Sequence, residues 1–104
     1  PLIKGIAHIT GGGLVENVPR VLPDGLGVRL DVSTWQSPPI FPLLQEMGNV
    51  SREEMYRVFN MGLGMVAVCD EAEIQAIQNA VGDAQVVGRI IRRDADDQVL
   101  FENA

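Results

Sequence analysis

Between residues 8 and 20 the chain sets one histidine, one threonine, three consecutive glycines, an asparagine and an arginine, all groups able to hold an anion. An apolar, β-branched run over residues 2–10 is stopped by Gly11, Gly12 and Gly13. Leu14, Val18, Val21 and Leu22 then recur at i, i+4, i+7 and i+8, the stripe of a buried helix face. In a strand, glycine turn and helix start, successive backbone N–H groups converge on one point, where phosphate is the usual guest. The same run also reads as a tight connection with no ligand, because a glycine cluster alone is a weak signal. It has neither the Gly-Lys-Ser/Thr of a P-loop nor the spacing of a dinucleotide fingerprint.

Strand alternation places Ile6, His8 and Thr10 on one face and Ile3, Ala7 and Ile9 on the other, so His8 and Thr10 can reach a ligand held by Gly11, Gly12 and Gly13. A histidine beside a phosphate can donate a hydrogen bond or exchange a proton. The plainer reading is a hydrogen-bonded structural side chain. Asn17 and Arg20, three residues apart, share one side of the next turn, and the arginine fork suits phosphate or carboxylate. The competing reading is a solvated surface with a local Glu16–Arg20 pair. Asn60, Gly62 and Gly64 frame a second turn ahead of an apolar strand, marking either close backbone approach to a ligand or a helix cap. With one His and one Cys, no imidazole or thiolate cluster can form and no metal site is expected.

The elements that position these groups follow from periodicity and breakers. Pro19 is expected either to kink the helix or to end it, leaving a short helix over residues 12–18 followed by a separate turn. Pro23, Asp24 and Gly25 turn the chain into a strand over 27–32. Ser37, Pro38 and Pro39 open a helix over 40–47, closed by Gly48 and Asn49. Ser51 and Glu54 form a capping box for a helix over 52–59. Residues 65–69 read as a short strand buried on both faces. Asp70 is expected to cap a helix over 71–81 that ends at Gly82. A strand over 84–93, with Gly88 at a bend, leads through a polar hairpin turn over 94–97 to a last strand over 98–102. The order β-α-β-α-α-β-α-β-β predicts an α/β (α+β) fold with a mixed sheet layered by helices. Met55, Met61 and Met65 are expected in the core, Cys69 as a small buried hydrophobe and Trp35 as a packing or interface residue.

The 104 residues suit one domain, 46% hydrophobic and 21% charged, which excludes a disordered chain. Eight Lys and Arg against fourteen Asp and Glu argue against a nucleic-acid binder. The excess is uneven: residues 1–30 carry three basic and two acidic groups, and residues 31–104 carry five and twelve. The glycine turn thus lies in the one stretch that would not repel an anion. No apolar run reaches the length of a membrane span, and the single Cys69 fits a reducing cytoplasm. A chain that starts at Pro1 and runs directly into a strand is expected to be a fragment of a longer polypeptide.

Two long motifs carry a family resemblance over nearly the whole chain. His8-Ile9-Thr10-Gly11-Gly12-Gly13-Leu14 runs on to Glu16-Asn17-Val18-Pro19-Arg20-Val21-Leu22-Pro23. Glu54-Met55-Tyr56-Arg57-Val58-Phe59-Asn60-Met61-Gly62-Leu63-Gly64-Met65 follows in the right order. Together they resemble the C-terminal domain of the aminoimidazole ribonucleotide synthetases, the phosphoribosylformylglycinamidine cyclo-ligases. The resemblance implies an enzyme of purine biosynthesis, a cytoplasmic homodimer, that uses ATP to close the ring of formylglycinamidine ribonucleotide through an iminophosphate. It implies that an N-terminal domain, absent from this chain, holds most of the ATP and Mg²⁺ site. This chain would then be the later part of the C-terminal domain, inactive alone. Under the resemblance Thr10, Gly11, Gly12 and Gly13 would bind a phosphate of substrate, His8, Asn17 and Arg20 would orient it, and Asn60, Gly62 and Gly64 would form the opposing wall. The alternatives are the related amidotransferase, or a non-catalytic phosphate-binding or protein-interaction module on the same fold.

Overall fold

The structure, a computed structural model, describes residues 2–93 and 96–104. Among the described residues five strands and four α-helices follow in the expected order: β1 (Gly5–His8), α1 (Gly13–Asn17), β2 (Leu26–Asp31), α2 (Ile40–Gly48), α3 (Arg52–Val58), β3 (Met65–Val68), α4 (Ile74–Ala80), β4 (Gly88–Arg92) and β5 (Val99–Glu102). The fold is α+β, but the strands form two sheets instead of one. β1 and β3 make an antiparallel pair, and β4, β2 and β5 make a three-stranded mixed sheet in that order.

The first strand is shorter than the apolar run that encodes it. Its ladder is extended at either end by Lys4 N–H donating to the Val68 carbonyl (2.7 Å) and Ile9 N–H to that of Gly64 (2.9 Å). The alternation is as expected, with Ala7 and Ile9 buried while Ile6, His8 and Thr10 are exposed. Pro19 begins a 3-10 turn over Pro19–Val21 directly after α1. Its fixed φ and missing N–H suit a first helical position and not a helix interior. Ser51 caps α3, its Oγ accepting from Glu54 N–H at 3.2 Å.

Several expectations are corrected. Asp70 does not cap: Glu71–Glu73 is a 3-10 turn with no side-chain cap, and Asp70 instead pairs with Lys4 at 3.2 Å. β3 is not buried on both faces, because nothing among the described residues covers the side on which Met65 and Ala67 lie exposed; Cys69 is only half-buried. The strand expected over 84–93 starts at Gly88, which sits within the ladder, where a Cβ would overlap the Arg29 carbonyl oxygen. Finally, β4 and β5 are not a hairpin. β2 lies between them, antiparallel to β4 and parallel to β5, and the expected turn at 94–97 falls partly outside the described residues. Short-range patterning cannot reveal a third strand inserted between two neighbours in sequence, because the pairing is non-local.

The core joins the two sheets through α1. Leu14, Val18 and Leu30 are essentially inaccessible and pack with Ala7, Ile9, Val28 and Trp35. Met55 is fully buried and Met61 nearly so, but Met65 is 66% exposed.

Candidate functional site

The antiparallel pairing of β1 and β3 sets His8 opposite Met65, so the glycine turn after β1 and the Asn60–Gly64 turn before β3 lie side by side at one end of the small sheet. The unpaired edge of β1 runs against the 3-10 turn, close enough that a Cβ on Gly5 would touch Val21 at 3.4 Å. Between them is a depression of about 260 Å³ lined by Ile6, Ala7, His8, Thr10, Asn17, Arg20 and Val21. Four of the residues singled out from sequence therefore share one wall, and none of the lining residues is acidic.

Asn17, 3% exposed, is the only buried polar residue among those described. Its side-chain amide donates to the carbonyls of Gly13 (2.8 Å), Thr10 (3.2 Å) and Gly11 (3.2 Å). Its oxygen accepts from Arg20 Nη1 at 3.0 Å. Buried polar groups are costly unless bonded, and this one is satisfied at both ends. The surface Glu16–Arg20 pair therefore does not form; Arg20 turns to Asn17 instead.

The three glycines serve three different ends. Gly11 is exposed with open space where a Cβ would lie. Gly12, at φ +97°, is the left-handed N-cap of α1, and the Glu16 side chain folds over the position its Cβ would occupy. Gly13, at φ +62°, is buried against the end of α3, where a Cβ would overlap the Tyr56 carbonyl and come within 2.8 Å of that of Phe59. Gly13 thus serves the packing of α1 on α3, and none of the three glycines is among the residues that line the depression.

Asn60, Gly62 and Gly64 do not line the depression. Asn60 Oδ1 accepts from Gly62 N–H (2.8 Å), and Met61 and Gly62 both take positive φ. The turn is pinned from behind by Trp35 Nε1 (3.0 Å) and Ser37 Oγ (2.6 Å), both donating to the Met61 carbonyl. Gly62 packs on Pro38, and Gly64 accepts the Ile9 N–H. Ile6 and Val21, which supply the apolar lining, were not singled out as site residues. Ile6 shares the face of His8 and Thr10 by simple alternation, and that was the signal available. Trp35 and Ser37, 26 and 24 residues from their acceptor, left no local signal.

A second depression of about 290 Å³ lies on the outer face of the three-stranded sheet. It mixes Arg29 and Arg89 with Asp31 and Glu102; Arg29 is already paired to Glu102 at 3.1 Å. Asp31 is held below the usual carboxylate range by hydrogen bonds from the Asn103 side chain and then from Ser33. Two carboxylates make this face a poorer host for an anion than the Arg20 depression, despite its larger volume. Among the described residues no group of three or more His, Cys, Asp or Glu could hold a metal ion, and no helix is long and apolar enough to cross a membrane.

The chain is similar to known proteins over nearly its whole length. The chain is 54% identical over 92 residues to a phosphoribosylformylglycinamidine cyclo-ligase of Aromatoleum aromaticum, covering 88% of this chain and 26% of that protein. A protein of the same name from Bacillus licheniformis is 49% identical over 106 residues, covering 98% and 30%. One from Bifidobacterium longum subsp. infantis is 41% identical over 105, covering 97% and 30%. The chain thus spans between a quarter and a third of the length of these relatives. The family model described as "AIR synthase related protein, C-terminal domain" matches residues 1–99, and the chain belongs to that family.

Proposed function

We propose that this chain is part of an ATP-dependent phosphoribosylformylglycinamidine cyclo-ligase of purine biosynthesis, which converts formylglycinamidine ribonucleotide to aminoimidazole ribonucleotide. Its own contribution is a pocket for the phosphate of the ribonucleotide. The observation that carries this reading is the depression beside β1, where Arg20 is held in place and Thr10 and His8 project from the same strand face with no carboxylate among the lining residues. The depression, about 260 Å³, is large enough to admit a phosphate group. The rest of the nucleotide would extend out over the open side of the small sheet.

ATP and its Mg²⁺ are assigned, on the family resemblance, to another domain of a cytoplasmic homodimer, and no step is routed through them. This chain's part is to bind and orient. Arg20 and the Thr10 hydroxyl anchor the phosphate, and His8 stands where it can donate a hydrogen bond to it. Fixing one end of the substrate is worth much in a ring closure, where positioning supplies a large share of the rate.

The test is turnover of formylglycinamidine ribonucleotide by the intact protein and its Arg20→Ala variant. Loss of a charge-assisted contact is expected to raise KM about tenfold or more. A KM equal to that of the parent would remove Arg20 from the phosphate site. An intact protein that binds ribose 5-phosphate but does not cyclise the substrate would instead support the non-catalytic module.

A further inference from the structure

Asn17 is the point at which the glycine turn and Arg20 meet, and the chemistry of its neighbours fixes which way its amide faces. Three carbonyl oxygens, those of Thr10, Gly11 and Gly13, surround one end of the side chain, and carbonyls only accept. A guanidinium nitrogen of Arg20 meets the other end, and guanidinium only donates. Reversing the amide would set oxygen against three oxygens and NH₂ against NH₂, so a single orientation satisfies the site. No other side chain of this size offers donors at one end and an acceptor at the other. Aspartate would lack the donors, and leucine would lack both.

We propose that Asn17 is a positioning residue that couples the backbone of the turn at residues 10–13 to the Arg20 guanidinium, without itself touching the ligand. The proposal rests on the reading of the depression as a phosphate pocket. Asn17 borders the depression, but it is only 3% exposed and its amide hydrogens are already given to three backbone carbonyls, so it has no donor left for a phosphate, which meets Arg20 and the Thr10 side chain instead. Among the described residues Arg20 has no other hydrogen-bond or ion-pair partner, so Asn17 alone orders that long, otherwise mobile side chain before a ligand arrives. Turn and guanidinium lie on either side of α1 in the chain. One amide holds them in register.

The experiment is a double-mutant cycle on the intact protein, with ribose 5-phosphate affinity as the readout. Arg20→Ala and Asn17→Ala are each expected to weaken binding about tenfold. The double variant is expected to lose clearly less than the product of the two, because Asn17 acts in part through Arg20. Losses that multiply, or an Asn17→Ala protein that binds like the parent while Arg20→Ala does not, overturn the proposal and leave the phosphate reading standing. A parent that does not bind ribose 5-phosphate, or an Arg20→Ala variant that binds like the parent, overturns the phosphate reading and the proposal with it. Should Asn17→Ala fail to fold, the parent protein decides: slow solvent exchange of the Asn17 side-chain NH₂ and a resolved, restrained Arg20 guanidinium in NMR spectra support the coupling. A freely averaging guanidinium overturns it.

Discussion

A methyl group added at Gly13 would meet two backbone carbonyls at the end of α3 and sit at a φ of +62°, whereas one added at Gly11 meets open space. Gly13→Ala is therefore expected to destabilise the fold by about 2–4 kcal/mol through left-handed strain and overpacking. Gly11→Ala should stay within about 0.5 kcal/mol. Urea midpoints of the two variants check this directly, and equal midpoints would refute the packing role given to Gly13. Tyr56, packed against Phe101 with ring centroids 4.7 Å apart and the planes tilted by 37°, has its phenol pushed up by burial, with a smaller opposing effect of Arg52. Its neutral form is the one the fold favours, so this stabilisation is whole below the ordinary tyrosine value near 10 and is lost as pH rises through the higher folded value. Tyr56→Phe is expected to flatten the fall in thermal midpoint above pH 10, and an unchanged alkaline slope would count against it. Asp31 has the opposite sign. Its carboxyl is lowered, so what it contributes is present above the usual carboxylate range and is lost as acid carries the pH down through the folded value.

The helix starts show which local signals survive folding. Ser51→Ala removes a cap that the structure contains and should cost about 1 kcal/mol. Asp70→Asn removes only an exposed pair with Lys4 and should cost about 0.5 kcal/mol or less. Chemical denaturation of both variants checks the contrast, and a larger loss at Asp70 would reverse it. Ser51 was legible because the serine, the glutamate three residues on and the apolar stripe all lie within one turn. Asp70 carries the same kind of local signal, but its side chain lies against Lys4, sixty-six positions earlier, and caps nothing. The glycine turn was legible for a similar reason to Ser51. Thr10, Asn17 and Arg20 belong to one continuous stretch whose spacing already set them near each other. The separation of the Asn60–Gly64 turn from the depression was not legible, because it depends on Trp35 and Ser37 drawing the Met61 carbonyl away.

At the level of the whole molecule, two apolar surfaces stay uncovered: Ile6 and Met65 on the open side of the small sheet, and Ile40, Leu43 and Met47 along α2, which buries no residue fully. The element order could be read from periodicity, but the division into two sheets and the placing of β2 between β4 and β5 could not. Those choices depend on pairing residues far apart in the chain. Gln98 Nε2 reaches the Leu26 carbonyl and Asn103 Nδ2 reaches Asp31, each across 72 positions. Both flanks of β2 therefore come from sequence that a ribosome delivers long after β2 itself has left the exit tunnel. Until then β2 stands with both of its hydrogen-bonding edges bare, exposed to any other strand in the cell. Closing such distant pairs is slow. Arrested nascent chains that stop before residue 88 are expected to be degraded by added protease within this strand, while chains extended past residue 104 resist it; equal resistance at both lengths would show that β2 finds its protection elsewhere.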